Sequence, residues 1–247
     1  MRNEGTWRPS KFVFRGGRLA ASRDPREGAP GSRLAADLVA RRYHVLLREH
    51  ASGRLVDLGC GRVPLYAAYR DLVTEVVCAD WSHSAHGAAH LDLVCDLTRP
   101  LPFADRRFDT VILSDVLEHV PEPALLWREL ARILAAGGKL LLNVPFYYAL
   151  HEQPHDYYRY TEFALRRFAE SSGLGLVLLE PLGGAPEILA DILAKNLLRL
   201  PRLGKLPAVA VQAAAAAFIG TAFGRRVSAV TAREFPIGYI LVAQQPG

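Results

Sequence analysis

The sequence of 247 residues predicts an α/β protein on a doubly wound, largely parallel sheet, and three observations lead there. From residue 54 onward, short apolar runs bounded by turn residues alternate with helical patterns, as in consecutive strand–helix units. The first run, 55–58, breaks into a glycine-pinched turn, Gly59-Cys60-Gly61, before a helical stretch. Such a strand–turn–helix lies where open parallel sheets bind ligands. Half of the residues are apolar, enough for one sizeable core.

The elements follow in order. Residues 1–31 are polar, rich in Arg and Gly and without a period, so they read as an irregular arm with one apolar contact at Phe12-Val13-Phe14. Over 32–49, Leu34, Leu38, Val45 and Leu46 share a helical face, with Ser32 as N-cap. This helix either covers the ligand pocket, with Tyr43 reaching in, or packs on the outside of the sheet. After the glycine turn a helix carries Pro64 in its first turn, where its fixed φ is suited. Strands follow at 75–79, 91–94 and 108–113, then a helix over 125–134 closed by Gly137-Gly138, and a strand at 139–144. Thr161 N-caps another helix, and 174–179 and 237–243 are the last strands.

Net charge is +5 and the pI about 9.3, without a long Lys/Arg block. An anionic partner is permitted but not required. Cys60, Cys78 and Cys95 have neither disulfide nor metal spacing and read as reduced core residues, so a reducing cytoplasm is expected. No apolar run follows Arg2, Arg8 and Lys11, so the N-terminus does not read as a signal peptide.

The turn's chemistry is legible from what it lacks. A dinucleotide fingerprint wants a third glycine where Pro64 stands, and no Gly-Lys-Ser/Thr follows to cradle phosphate. Asp57, two residues before the first glycine, repels a pyrophosphate but accepts from an ammonium. Asp57-Leu58-Gly59-Cys60-Gly61 resembles the Asp-x-Gly-x-Gly loop of the class I S-adenosylmethionine-dependent methyltransferases, with Val63 where a small residue is common. Asp80 lies about twenty residues on, where such folds place a carboxylate on ribose hydroxyls. The resemblance implies Trp81 against adenine, Asp96 accepting from its amino group, and Leu97 packed on the ring. Ser114-Asp115-Val116-Leu117-Glu118-His119 resembles the family's fourth motif, placing Ser114, Asp115 and His119 at the methionine end. It is not Asn-Pro-Pro-Tyr, which counts against an amino-methylating nucleic-acid enzyme. Gly137-Gly138 before a strand is also typical, with Ala136 where Pro is usual.

The resemblance spans residues 54–144. It implies a Rossmann-like sheet of seven strands, the last antiparallel between the fifth and sixth, with a helical insertion at 185–232. Residues 1–52 are then arm and cap helix, and 53–247 the methyltransferase domain.

Residues 143–160 follow the fifth strand and should line the acceptor side. Tyr147, Tyr157 and Tyr158 offer flat walls with hydroxyl handles, and Arg159 a clamp for carboxylate or phosphate. A hydroxyl acceptor needs a base: His155, oriented by Asp156 or Glu152, is the first candidate and His151 the second. His151 and His155 are spaced i, i+4, but Pro154 intervenes and no third ligand is evident, so no metal is assigned. The run resembles one in uncharacterised bacterial methyltransferases linked to surface-glycan assembly.

In the insertion, Ile188, Leu189, Ile192, Leu193, Leu197 and Leu200 share a helical face, with Lys195, Arg199, Arg202 and Lys205 as its basic residues. Residues 206–224 carry no charge, yet they are alanine-rich and hold Pro207, Gln212 and Gly220, so a spanning helix is disfavoured. Lid, homodimer face and anionic membrane surface remain as readings, the last placing the protein peripherally at the inner membrane face. The expected activity is O-methylation of a small or lipid-linked acceptor, sugar-containing or similarly polar. RNA methylation and a non-catalytic cofactor-binding subunit are the alternatives; nucleic acid is disfavoured because no basic–aromatic track is present.

Overall fold

The computed structural model describes residues 1–247 except 83–86, 88 and 202. Arg202, part of the basic run after the insertion's first helix, therefore lies outside the described residues.

The N-terminal arm is more ordered than its composition predicts. Strands β1 (Phe12–Arg15) and β2 (Arg18–Ala21) form a hairpin. Gly16 and Gly17, with φ of +57° and +73°, supply the left-handed turn that matches strand twist. Two long-range bonds anchor the arm. Trp7 Nε1 donates to Val63 O at 3.2 Å, and Ala21 N–H donates to the buried Asp37 at 2.8 Å. Neither partner is near in sequence, so no local pattern announced the hairpin.

Helix α1 (Arg33–His50) leads into the main sheet. Its strands are β3 (Arg54–Leu58), β4 (Glu75–Asp80), β5 (Leu93–Val94), β6 (Phe108–Ser114), β7 (Leu134–Pro145), β8 (Gly175–Leu182) and β9 (Gly238–Gln244). Their order is β5-β4-β3-β6-β7-β9-β8. The last strand, β9, pairs antiparallel with both β7 and β8, as the resemblance implied. The strand order reverses between β3 and β6, opening a crevice at their carboxyl ends.

Helices cover both faces. On one, α3 (Pro123–Ile133) and α4 (Glu162–Ser171) pack Trp127, Leu130 and Leu165 against Val111, Leu140 and Leu142. On the other, Tyr43 and Leu47 of α1 join Leu55, Ile112 and Leu141. Thr161 caps α4 as expected, its hydroxyl accepting from Ala164 N at 3.2 Å.

Three expectations need correction. The helix after the glycine turn, α2, is only Tyr66–Tyr69, and Pro64 lies in the turn before it. Val63, with φ at +51°, belongs to the same turn, in the left-handed region. Gly137-Gly138 lies within β7, at an irregularity where pairing jumps from Phe108–Leu134 to Thr110–Lys139. Ser32 precedes α1, but its hydroxyl does not cap it. It accepts instead from Tyr148 Oη at 3.0 Å, and Leu34 N–H is satisfied by Gln212 Oε1 at 2.9 Å.

Gln212 belongs to the insertion between β8 and β9, which comprises α5 (Ala185–Leu198), α6 (Lys205–Gly220) and α7 (Ala222–Thr231). Its amide also donates to Gly31 O and Ala190 O, pinning α6 to the start of α1. Buried Glu187 accepts from Gly184 N–H and Ser228 Oγ, which ties α5 to α7. Otherwise α6 is little covered: within it only Ala208 and Gln212 are buried. Helices α6 and α7 meet at 99°, and among the described residues no single helix is long and apolar enough to cross a membrane.

Candidate active site

A cleft of about 1200 Å³ opens at the carboxyl ends of β3, β4, β6 and β7. Its floor is the glycine turn. Gly59 has φ of +66°, and a Cβ there would sit 2.5 Å from Val116 Cγ2, so only glycine fits. The turn is tied down by Gly59 N–H and Cys60 N–H, which both donate to Ala79 O. Asp80 Oδ2 accepts from Gly61 N–H at 2.9 Å and Oδ1 from Trp81 N–H at 2.8 Å. This carboxylate both shapes the loop and forms part of the cleft wall.

Gly59, Cys60, Gly61, Asp80, Trp81, Asp96, Leu97, Ser114, Asp115 and His119 all line the cleft. Asp57 does not. Side chains alternate along β3, and Asp57 shares the face of Leu55, the side covered by α1 and Tyr69. It lies beneath the turn and accepts from Tyr69 Oη at 3.0 Å. Burial there pushes its carboxyl up to about 7, against the lowering effect of the Tyr69 bond. The direct contact with an ammonium expected for Asp57 is thus replaced by a supporting position. Asp96 accepts from both the N–H and the hydroxyl of Thr98, bonds that hold its carboxyl below the usual range.

At the end of β6 a polar network emerges that sequence reasoning missed. Asp115, with φ of +53°, pairs through Oδ2 with Lys11 Nζ at 2.7 Å and accepts from Asn143 Nδ2 through Oδ1. Asn143 Oδ1 accepts from Tyr43 Oη and from Ser114 Oγ, each at 2.8 Å. Tyr43 is therefore buried behind the cleft, supporting its wall through Asn143. Partial burial opposes the charge on Lys11, but Asp115 outweighs it and holds the ammonium above its ordinary range. Lys11 comes from the hairpin, 104 positions away in sequence. No motif could have located it.

The loop after β7 brings His151, Glu152, His155 and Tyr157 to the cleft. His155 lies edge-on to Trp81 with ring centroids 5.4 Å apart, and its Nδ1 is 3.2 Å from Tyr157 Oη. Asp156 does not orient it. Arg159 grips Asp156 through two bonds of 2.6 and 2.8 Å and drops its carboxyl to about 2. The same Asp156 accepts from His151 N–H and lies 3.4 Å from His151 Nδ1, so the Asp–His pair is Asp156–His151. Arg159 is spent on this internal bridge rather than offered to an acceptor. Tyr147 packs against Phe146 and Phe235, and Tyr158 Oη donates to Pro121 O, so neither forms the cleft wall. Tyr148, unassigned from sequence, does line it, with Lys195 Nζ of α5 3.4 Å from its ring centre.

Behind His119 and His151 lies Glu118, fully buried, whose carboxyl burial pushes up. Its Oε1 is 3.7 Å from Nε2 of each histidine. Burial works against a charged His151, but Glu118 and Asp156 prevail and raise it.

This geometry agrees with the comparisons to known proteins. Residues 56–142 match the family described as a methyltransferase domain. A ubiquinone biosynthesis O-methyltransferase of Xanthomonas euvesicatoria pv. vesicatoria is 34% identical over 108 residues, which cover 38% of this chain and 44% of the relative. The chain thus spans less than half the length of that curated relative. A demethylmenaquinone methyltransferase of Mycobacterium marinum is 31% identical, over 51% of this chain and 62% of the relative.

Among solved structures the cyclase SpnF superposes with a TM-score of 0.56 at 21% identity, covering 96% of this chain and 88% of that one. A Haemonchus contortus phosphoethanolamine N-methyltransferase 2 in complex with S-adenosyl-L-methionine gives 0.52 at 16% identity, covering 83% and 52%. These two show the fold. The cleft fits the cofactor that the family implies. Acceptors Asp80 and Asp96 stand in its wall for hydroxyl and amino donors, Trp81 and Leu97 offer ring surfaces, and the floor admits no side chain at Gly59. Residues 56–142 thus match a methyltransferase domain, and the residues that line the cleft fit S-adenosylmethionine.

Proposed function

We propose that this protein O-methylates a hydroxyl on a polar, lipid-linked acceptor, such as a sugar-containing lipid, with His155 as the base. The carrying observation is that the loop after β7 puts His155 and Tyr157 on the open side of the cofactor cleft. S-adenosylmethionine supplies the methyl group, already activated on a sulfonium. His155 takes the acceptor's proton as its oxygen gains the methyl group, and imidazole serves this at neutral pH. Trp81 and Tyr157 hold the imidazole between them. The O-methyltransferase name of the Xanthomonas relative supports hydroxyl as the acceptor class.

The insertion supports the lipid. Leu206, Phe223 and Val230 are exposed. Residues 192–233 contain seven Lys and Arg and no acid. Apolar side chains framed by positive charge fit an anionic bilayer surface. Gln212 bonds this helix to Gly31 and Leu34, beside cleft-lining Ser32 and Arg33, so the lipid face and the acceptor wall form one unit.

Methyl-labelled S-adenosylmethionine, incubated with the protein and cell extract fractionated into lipids, small molecules and RNA, tests this reading. Label in lipid supports it; label confined to RNA or to water-soluble molecules overturns the acceptor class. Sedimentation with anionic liposomes at low salt tests the surface, and failure to bind, with a dimer in ultracentrifugation, reassigns α6 to a subunit interface.

A further inference from the structure

We infer that Glu118, His119 and His151 form a site for a divalent transition-metal ion, best matched by Zn²⁺, in the wall of the cleft. One ligand atom from each lies within 4.8 Å of the others. The donor set, two imidazoles and one carboxylate, is that of open zinc sites. His119 and His151 line the cleft while Glu118 is fully buried behind them, so the vacant coordination position of a bound ion would face the cleft.

The tautomer of His119 and the unpartnered buried atoms around Glu118 carry the inference. His119 Nδ1 is 2.7 Å from His155 O, a carbonyl, so this nitrogen carries the proton and Nε2 is left with a lone pair. His151 Nδ1 lies 3.4 Å from the Asp156 carboxylate without a hydrogen bond to it. His119 therefore turns a lone-pair Nε2 toward Glu118 Oε1, and His151 Nε2 faces the same oxygen, at 3.7 Å in both cases. That distance is too long for a hydrogen bond. Neither carboxylate oxygen of Glu118 has a hydrogen-bond partner among the described residues, and neither does His119 Nε2.

A cation between these atoms would satisfy both the buried carboxylate of Glu118 and His119 Nε2, which otherwise have no hydrogen-bond partner among the described residues. The carbonyl behind His119 is the kind of partner that metal-bound histidines use to fix tautomer and ring orientation, and the Arg159-anchored Asp156 carboxylate holds the backbone N–H of His151. Tetrahedral zinc bonds of about 2.0–2.2 Å place ligand atoms roughly 3.4 Å apart, so closing on an ion needs a contraction of up to about 1.4 Å from the 4.8 Å span.

The site goes beyond the acceptor assignment and stands independently of it. After chelator treatment, the protein is titrated with Co²⁺ as a spectroscopic probe and with Zn²⁺ in competition. One equivalent of Co²⁺ with visible ligand-field bands, displaced by Zn²⁺, is expected. His151→Ala and His119→Ala should each weaken binding by at least about tenfold, whereas His90→Ala should bind like the parent. Glu118→Gln tests the buried ligand, with circular dichroism to verify folding; His151→Ala lies on a loop and remains informative if that variant misfolds. No binding at micromolar metal, or equal binding in His151→Ala, overturns the site. Cofactor affinity, measured in parallel by calorimetry, separates this failure from failure of the methyltransferase reading.

Discussion

Asp57→Asn is the substitution whose effect follows most directly from the fold. Asp57 is buried beneath the glycine turn, where loss of water pushes its carboxyl up to about 7, with the nearby Asp80 charge adding to the effect. In the unfolded chain the same group titrates near 3.9 or about that value. Between these values the folded state binds a proton that the unfolded state has released. Stability therefore falls as pH rises through this window and levels off above it.

About three units at about 1.4 kcal/mol each give roughly 4 kcal/mol of stability present below pH ~4 and absent above pH ~7. Asparagine keeps an oxygen for Tyr69 Oη and carries no charge, so it removes this dependence. Urea unfolding of the cofactor-free protein at pH 5, 6, 7 and 8, read as variant minus parent, cancels every other titrating group. The variant should gain stability relative to the parent by up to several kcal/mol as pH rises. A constant difference across the series refutes the buried, proton-holding Asp57.

His155→Ala should lower turnover by about 10²–10⁴-fold while calorimetric cofactor affinity stays within about threefold; unchanged turnover removes the base assignment. Gly59→Ala places a methyl 2.5 Å from Val116 Cγ2 at a φ of +66°, and should abolish cofactor binding. Val116→Ala added to it should restore part of that binding, and no rescue means the turn's φ alone is decisive. Gln212→Ala strands Leu34 N–H and Gly31 O, costing about 1–3 kcal/mol. A thermal midpoint equal to the parent's shows that the insertion does not brace α1.

Much of the sheet was legible because its signals are local. An apolar run such as 108–113, ended by Ser114-Asp115, declares a buried strand and its carboxyl end. Thr161 declares a helix start through its own hydroxyl. Where a partner lies far along the chain, the reading failed. Ser32 is the right residue type for a cap, but Gln212 took the N–H and Tyr148 took the hydroxyl. Arg159 misled for the opposite reason: it is the right residue type for a substrate clamp, but a near neighbour, Asp156, three residues away, satisfies its fork.

The sequence by itself determined the α/β class, the glycine turn, the acids Asp80 and Asp96, and a histidine-rich loop after the fifth strand. Motif spacing encodes these because a strand and the turn after it are contiguous in chain and in space. Only the tertiary structure decided which side of β3 Asp57 faces, that Lys11 reaches Asp115 and that Tyr43 supports Asn143. It also turned Asp156 from His155 to His151, and placed Glu118 behind two imidazoles. The Lys11–Asp115 and Tyr43–Asn143 contacts join segments 104 and 100 residues apart, and the geometry of all these contacts exists only once packing has chosen a rotamer and a face for each side chain.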